Sequence, residues 1–232
     1  EMNVDGDATV HGSMTVGGQL NVNQGGSLDL SLSDSTSNLG DVSVSGDLAI
    51  SGGETQKKTV NADSMTVNGG GSAELNNVNL NLTGNGSLVL EGLSDDEIAS
   101  LEMNSSTVIG NVITKGDYTD LTMSNSSIIG NLEVNGGWFT IDGRNQVSGN
   151  ATIQENAHVV VKKDSSLESG VISLAPDGDL TVNEGGSLGN SSISFGGEDS
   201  DEFGGNRTVS FEGDNQKLSG NVIVNADGTI QA

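Results

Sequence analysis

Two pairs of carboxylates separated by a single glycine, Asp5-Gly6-Asp7 and Asp177-Gly178-Asp179, are the residues whose spacing most suggests acid–base chemistry. A glycosidase needs two carboxyls at a defined gap, one to give a proton and one to act as base or nucleophile. Asp7 and Asp179 recur, however, at a place in a repeat where Asn111, Asn131, Asn150 and Asn221 also stand. Asp and Asn both suit a turn, so a turn role accounts for the pairs. A lyase would add a strong base beside bound calcium. The bases are scattered as Lys57-Lys58, Lys115, Arg144, Lys162-Lys163, Arg207 and Lys217. No catalytic residue and no organic cofactor is assigned, and the chain is expected not to be an enzyme.

Metal and ligand chemistry leaves two candidates. Glu198, Asp199, Asp201 and Glu202 gather hard oxygen donors of the kind calcium takes, within a Gly-bracketed acidic loop. His11 and His158 lie far apart and have no Cys partners, which argues against zinc. Trp138-Phe139 is the adjacent aromatic pair. In a strand, successive side chains alternate in direction, so one of the two faces outward as a platform for a carbohydrate. Both could instead pack into a local bulge. Tyr118 is a weaker candidate of the same kind. Sequons such as Asn81-Leu82-Thr83 carry little weight in an Asn/Ser-rich chain.

The elements that hold these residues come from an internal repeat. One unit is Gly-(Asn/Asp)-apolar-x-(Val/Ile): Gly6-Asp7-Ala8-Thr9-Val10, Gly46-Asp47-Leu48-Ala49-Ile50, Gly130-Asn131-Leu132-Glu133-Val134 and Gly178-Asp179-Leu180-Thr181-Val182 are copies. The second is Val-Asn-x-Gly-Gly-x-Leu, at Val22-Asn23-Gln24-Gly25-Gly26-Ser27-Leu28 and Val182-Asn183-Glu184-Gly185-Gly186-Ser187-Leu188. Gly110, Gly130 and Gly149 follow one another at steps of about twenty, a period in the range of solenoid repeats. The step from Gly149 to Gly178 is half as long again, which predicts an irregular coil there. Short apolar–x–apolar runs are strands with one buried face, and Gly with Asn or Asp marks turns.

These units predict an all-β right-handed parallel β-helix (a solenoid) of roughly eleven coils of about twenty residues, stacked at about 4.8 Å per layer. Residues 1–232 form one domain, with protruding segments near 93–103 and 196–206. The first contains Ser94 and Glu97 at capping-box spacing, which predicts a short helix or a loop leaving the solenoid. Asn23, Asn68, Asn135, Asn183 and Asn225 each follow a Val. They are expected to stack at one corner as an Asn ladder.

Composition supports this architecture. The chain of 232 residues has 35 Gly, one Pro, no Cys and 3% aromatics. A globular core leans on large aromatics, whereas a thin solenoid core fills with Val, Leu and Ile. Disorder would suit the acidic, polar composition but not the regular apolar triplets. The net charge of −24 makes nucleic acid and anionic membrane poor partners. There is no run of 18 apolar residues. Glu1-Met2-Asn3 leads straight into repeat-like sequence, as in a mature protein or an excised fragment.

The Gly-Asn-apolar-x-Val and Val-Asn-x-Gly-Gly-x-Leu units resemble the passenger domains of bacterial autotransporters, especially adhesins of the AIDA and antigen 43 kind. The resemblance covers most of the chain. It implies a right-handed β-helix, export to the bacterial surface, and cell-surface adhesion or self-association. A host glycan or matrix protein is then an expected partner. Bactofilins also build β-helices from Gly-punctuated repeats, but the excess of Asn, Ser and acid looks more like a secreted protein. A passive stalk is the alternative function, and a glycan-active enzyme a more distant one.

Overall fold

The structure is a computed structural model and describes residues 1–33, 36–195, 208–213, 222–224 and 229–231. The chain winds into a parallel β-solenoid of about ten turns with about 21 residues per turn. Three parallel sheets form its walls, and among the described residues there is no helix. Sheets A and B each have eleven strands and sheet C has seven. Sheet A runs from Met2–Val4 through Leu20–Val22 and onward, and sheet B from Asp7–His11 through Ser27–Ser31. Sheet C runs from Ser37–Asn38 to Ser166–Glu168. The chain visits them in the order A, B, C, and every pairing between successive coils is parallel and in register.

The alternation read in the sequence fixes the walls. In Leu20–Val22 the outer residues are buried and the middle one is half-exposed, and Asp47–Ser51 repeats the pattern. The inward residues make one continuous core column of Val, Leu, Ile and Met, with Phe139 and Phe195 its largest members. Polar residues also enter the column where they can be satisfied. Thr114 is fully buried, and its hydroxyl donates to the Gly136 carbonyl and accepts from the Asn135 N–H.

The corner between sheets B and C has its own chemistry. Successive coils turn there on a residue with positive φ: Asn77 at 54°, Ser105 at 49°, Asn125 at 50° and Gly143 at 66°. Glycine tolerates this left-handed conformation best, and among residues with a side chain the small polar ones do. A buried polar side chain closely follows three of these turns, at Ser106, Ser126 and Asn145. The Val78 N–H donates to Ser106 Oγ at 3.1 Å, the Ser106 N–H to Ser126 Oγ at 3.0 Å, and the Ser126 N–H to Asn145 Oδ1 at 2.9 Å. Ser126 Oγ in turn donates to the Met103 carbonyl at 3.0 Å. A hydrogen-bonded spine thus climbs inside this corner, supplying partners that buried backbone groups require. Ser126→Ala should therefore cost about 1–3 kcal/mol, because it orphans the Ser106 N–H. Urea unfolding would show this, with the half-exposed Ser124→Ala near neutral.

Three expectations need correction. The Asn residues after Val do not form one amide ladder. Asn23 donates to Asp5, Asn68 to Ser43 and Ser45, and Asn135 to Glu133 of its own strand. Asn183 follows Val182 of a sheet B strand and so belongs to a different corner, and Asn225 lies outside the described residues. Asn ladders exist elsewhere. Asn81 donates to Asn61 and Asn61 to Asn38 along sheet C. At the entry to sheet A, Asn111 Oδ1 accepts from the Asn131 N–H and Asn131 Oδ1 from the Asn150 N–H.

The second correction concerns Asp and Asn as equivalents in the first repeat unit. Asp7, Asp47 and Asp179 open strands of sheet B, whereas Asn111, Asn131 and Asn150 stand at the start of sheet A strands. The long step from Gly149 to Gly178 is therefore no irregular coil. It is one ordinary coil, such as the one that brings Asp179 beside His158, plus the passage from the sheet A corner to the sheet B corner.

Thirdly, of the two alternatives for 93–98 the helix does not form, and the segment is a tight turn. The Glu97 N–H donates to the Ser94 carbonyl and the Leu93 N–H to the Glu97 carbonyl, so Ser94 and Glu97 pair through the backbone. So short a segment between strands cannot nucleate a helix. Leu93 and Ile98 are exposed on this turn, while 99–103 belongs to the wall strand Ala99–Asn104. The other expected protrusion, 196–206, lies outside the described residues.

Candidate functional site

Trp138 and Phe139 lie in the sheet B strand Gly137–Asp142, and the pleat sends them in opposite directions. Phe139 is 1% exposed, packed in the core, and so cannot meet a ligand. Trp138 is 55% exposed. There is no bulge: Trp138 pairs in register with Asp120 on one side and His158 on the other.

Sheet register extends the site in a direction the sequence does not run. His158 pairs with Asp179, and Asp179 with Thr208. The four side chains therefore form one outward column. The Trp138 and His158 ring centroids are 4.8 Å apart with planes inclined by 31°. That separation matches the interstrand spacing, so the rings stack along the solenoid axis. His158 Nδ1 lies 3.5 Å from Asp179 Oδ2. Next to this column, Val160, Thr181 and Ser210 line the same open groove of about 340 Å³.

Neither His158 nor Asp179 was legible as a partner of Trp138 from local motifs. The signal was in the spacing. His158 stands one coil after Trp138, and Asp179 one coil after His158. On the far side of Trp138, partial burial raises the pKa of Asp120, and the charge of Glu102 adds to the rise. An acid with a raised folded pKa binds protons more tightly when folded, so its charged form opposes folding. That opposition is absent below the ordinary value of 3.8 and complete above the raised one. Asp120→Asn should accordingly stabilise the fold at neutral pH, with the gain fading as pH falls through the raised value and gone below pH 3.8, as thermal unfolding at several pH values would show.

Sheets B and C differ sharply in charge. The described strands of sheet B carry eight carboxylates, from Asp7 to Asp179, and no Lys or Arg. The strands of sheet C carry one, Glu168, beside Lys58 and Arg144. Lys57 leans onto sheet C, its Nζ donating to Thr107 Oγ1 at 2.7 Å, and burial lowers its pKa. Lys115, Lys162 and Lys163 pair with Glu91, Asp142 and Glu184, whereas Arg144 makes no ion pair among the described residues. Arg144 opens onto a polar groove of about 440 Å³ shared with Ser127, Gln146 and Glu168. Ile109 and Ile129, register partners on the same sheet, are 38% and 51% exposed.

The carboxylate pairs Asp5/Asp7 and Asp177/Asp179 lie near opposite ends of sheet B, and Asp5 accepts a hydrogen bond from Asn23. Tyr118 is half-buried at a corner, where its carbonyl accepts from the Ala99 N–H. Glu198, Asp199, Asp201 and Glu202 lie outside the described residues. Among the described residues, no group of three or more His, Asp or Glu is placed to hold a metal ion.

No protein-family model matches the chain. No curated protein matches it either. Among solved structures it is similar to a hyper-glycosylated TibA fragment, its glycosylation catalysed by TibC, seen in a crystal structure. Identity is 19% over all of this chain and 94% of that one, with a TM-score of 0.32. A likeness at that level carries no argument about function, and the fold rests on the strand pairing itself.

Proposed function

We propose that the chain is an extracellular adhesin-type module, of the kind its repeats resemble, that associates laterally with copies of itself. Sheet C of one copy lies against sheet B of another. The observation that supports this reading is the segregation of charge between the two faces. A chain of net charge −24 repels its copies through most orientations. Sheet C is a face on which that repulsion is relieved. It offers Arg144, whose planar guanidinium suits carboxylates, and the exposed pair Ile109 and Ile129. Sheet B offers a row of carboxylates at coil spacing. Complementary potentials select orientation and partner more than they add affinity, which suits weak contacts repeated between many copies. Because the two patches differ, the contact is heterologous and can propagate from copy to copy.

Sedimentation velocity across concentration tests the proposal. The chain should form concentration-dependent oligomers, and both Arg144→Glu and Ile129→Asp should remain monomeric with unchanged circular dichroism. A chain that stays a monomeric rod at every concentration would overturn self-association and favour a passive stalk.

A further inference from the structure

The groove beside Trp138 has a chemistry that lateral association does not use. Its end wall is aromatic, with the indole stacked on the His158 ring. Val160 gives it an apolar floor, and Asp179, Thr181 and Ser210 supply polar groups along the next two coils. We propose that this groove binds a neutral carbohydrate. The proposal does not rest on self-association, but the groove lies on the same sheet B face, so its titrations are made at concentrations where sedimentation shows the chain to be monomeric.

A pyranose ring presents a C–H face and a rim of hydroxyls. The C–H face needs an apolar, preferably aromatic, surface, which the two rings and Val160 provide together. The hydroxyls need directed acceptors and donors. The Asp179 carboxylate accepts, whereas the Thr181 and Ser210 hydroxyls both accept and donate. A volume of about 340 Å³ is at the small end of ligand sites, which suits one or two sugar rings. From Trp138 to Thr208 is three coil steps, roughly 14 Å along the axis.

The surrounding charge decides between sugar classes. Asp179 lines the groove, and Asp120 and Glu102 lie on the same face beyond Trp138. These carboxylates lie close enough that salt screens them incompletely, so they disfavour uronates, sialic acids and sulfated sugars. A quaternary ammonium ligand calls for several rings around one cation. Here the second ring covers the first instead of facing it.

Trp138 is the chain's single tryptophan, so its emission reports on the groove directly. The full chain would be titrated with cellotriose, maltotriose and tri-N-acetylchitotriose, and separately with trigalacturonate and sialyllactose. The expected result is a saturable emission change with at least one neutral sugar and none with the anionic two. Calorimetry with that sugar should show Asp179→Asn binding about tenfold or more weakly, the loss of a hydrogen bond to a charged group. Asp29→Asn, elsewhere on sheet B, should leave binding unchanged. No response to any neutral sugar up to its solubility limit would overturn the proposal. So would equal binding of the anionic sugars, or wild-type affinity in Asp179→Asn.

Discussion

Phe139→Ala is expected to lower the unfolding free energy by about 3–5 kcal/mol, the range for emptying a buried aromatic site. Phe139 packs in the core column between register partners Leu121 and Val159, both buried. In a solenoid each coil touches mainly its neighbours, so the cavity has few elements able to collapse into it. The neighbouring Trp138→Ala should change stability by less than about 1 kcal/mol, because Trp138 projects into solvent. Urea unfolding of both variants gives the comparison. Similar losses from the two would mean that the strand is turned over or that the indole is buried by a partner.

A comparable loss is expected where no side chain is removed. Gly92 sits just after the wall strand Ser87–Glu91, and a Cβ placed on it would lie 1.7 Å from the Tyr118 carbonyl oxygen of the next coil. The obstruction is backbone, so no rotamer change relieves it. Gly92→Ala should cost about 3 kcal/mol, toward the upper end of overpacking effects, because two coils must separate locally. Hydrogen exchange would place the opened amides at this corner, including the Ala99 N–H that donates to the Tyr118 carbonyl. Gly53→Ala, where a Cβ would meet only the flexible Lys58 side chain at 3.6 Å, should be tolerated.

Much of the wall was legible in the sequence because a strand's inside and outside depend on neighbouring residues alone. Asp47-Leu48-Ala49-Ile50 and Asp179-Leu180-Thr181-Val182 show alternation that any half-buried strand would show, and both bury the expected residues. The Trp138-Phe139 pair follows the same rule. The 93–98 turn looks like a helix start in sequence because Ser94 and Glu97 fit a capping box, but the helix has no room to form. Half of the candidate site was hidden for a different reason. His158 and Asp179 bear no local motif, and they meet Trp138 because each stands one full coil further along the chain.

The sequence by itself determined that the chain coils at about twenty residues, which residues face inward, and where it turns. The Val-Asn-x-Gly-Gly-Ser-Leu motif shows where that determination stops. At Val22 to Leu28 it carries the chain from sheet A to sheet B, and at Val182 to Leu188 from sheet B toward sheet C. The local turn is the same in both. The Gly26 N–H donates to the Asn23 carbonyl at 2.8 Å, as the Gly186 N–H does to the Asn183 carbonyl. Gly25 and Gly185 have φ of 78° and 71°. A short reversal satisfies the same backbone groups at either corner, so nothing local distinguishes them. Tertiary stacking decided which wall each segment joined, because a strand settles where its inward residues and N–H groups meet the coil before it. That choice gathered the carboxylates on sheet B, left Arg144 and the isoleucine pair on sheet C, and set Trp138 against His158.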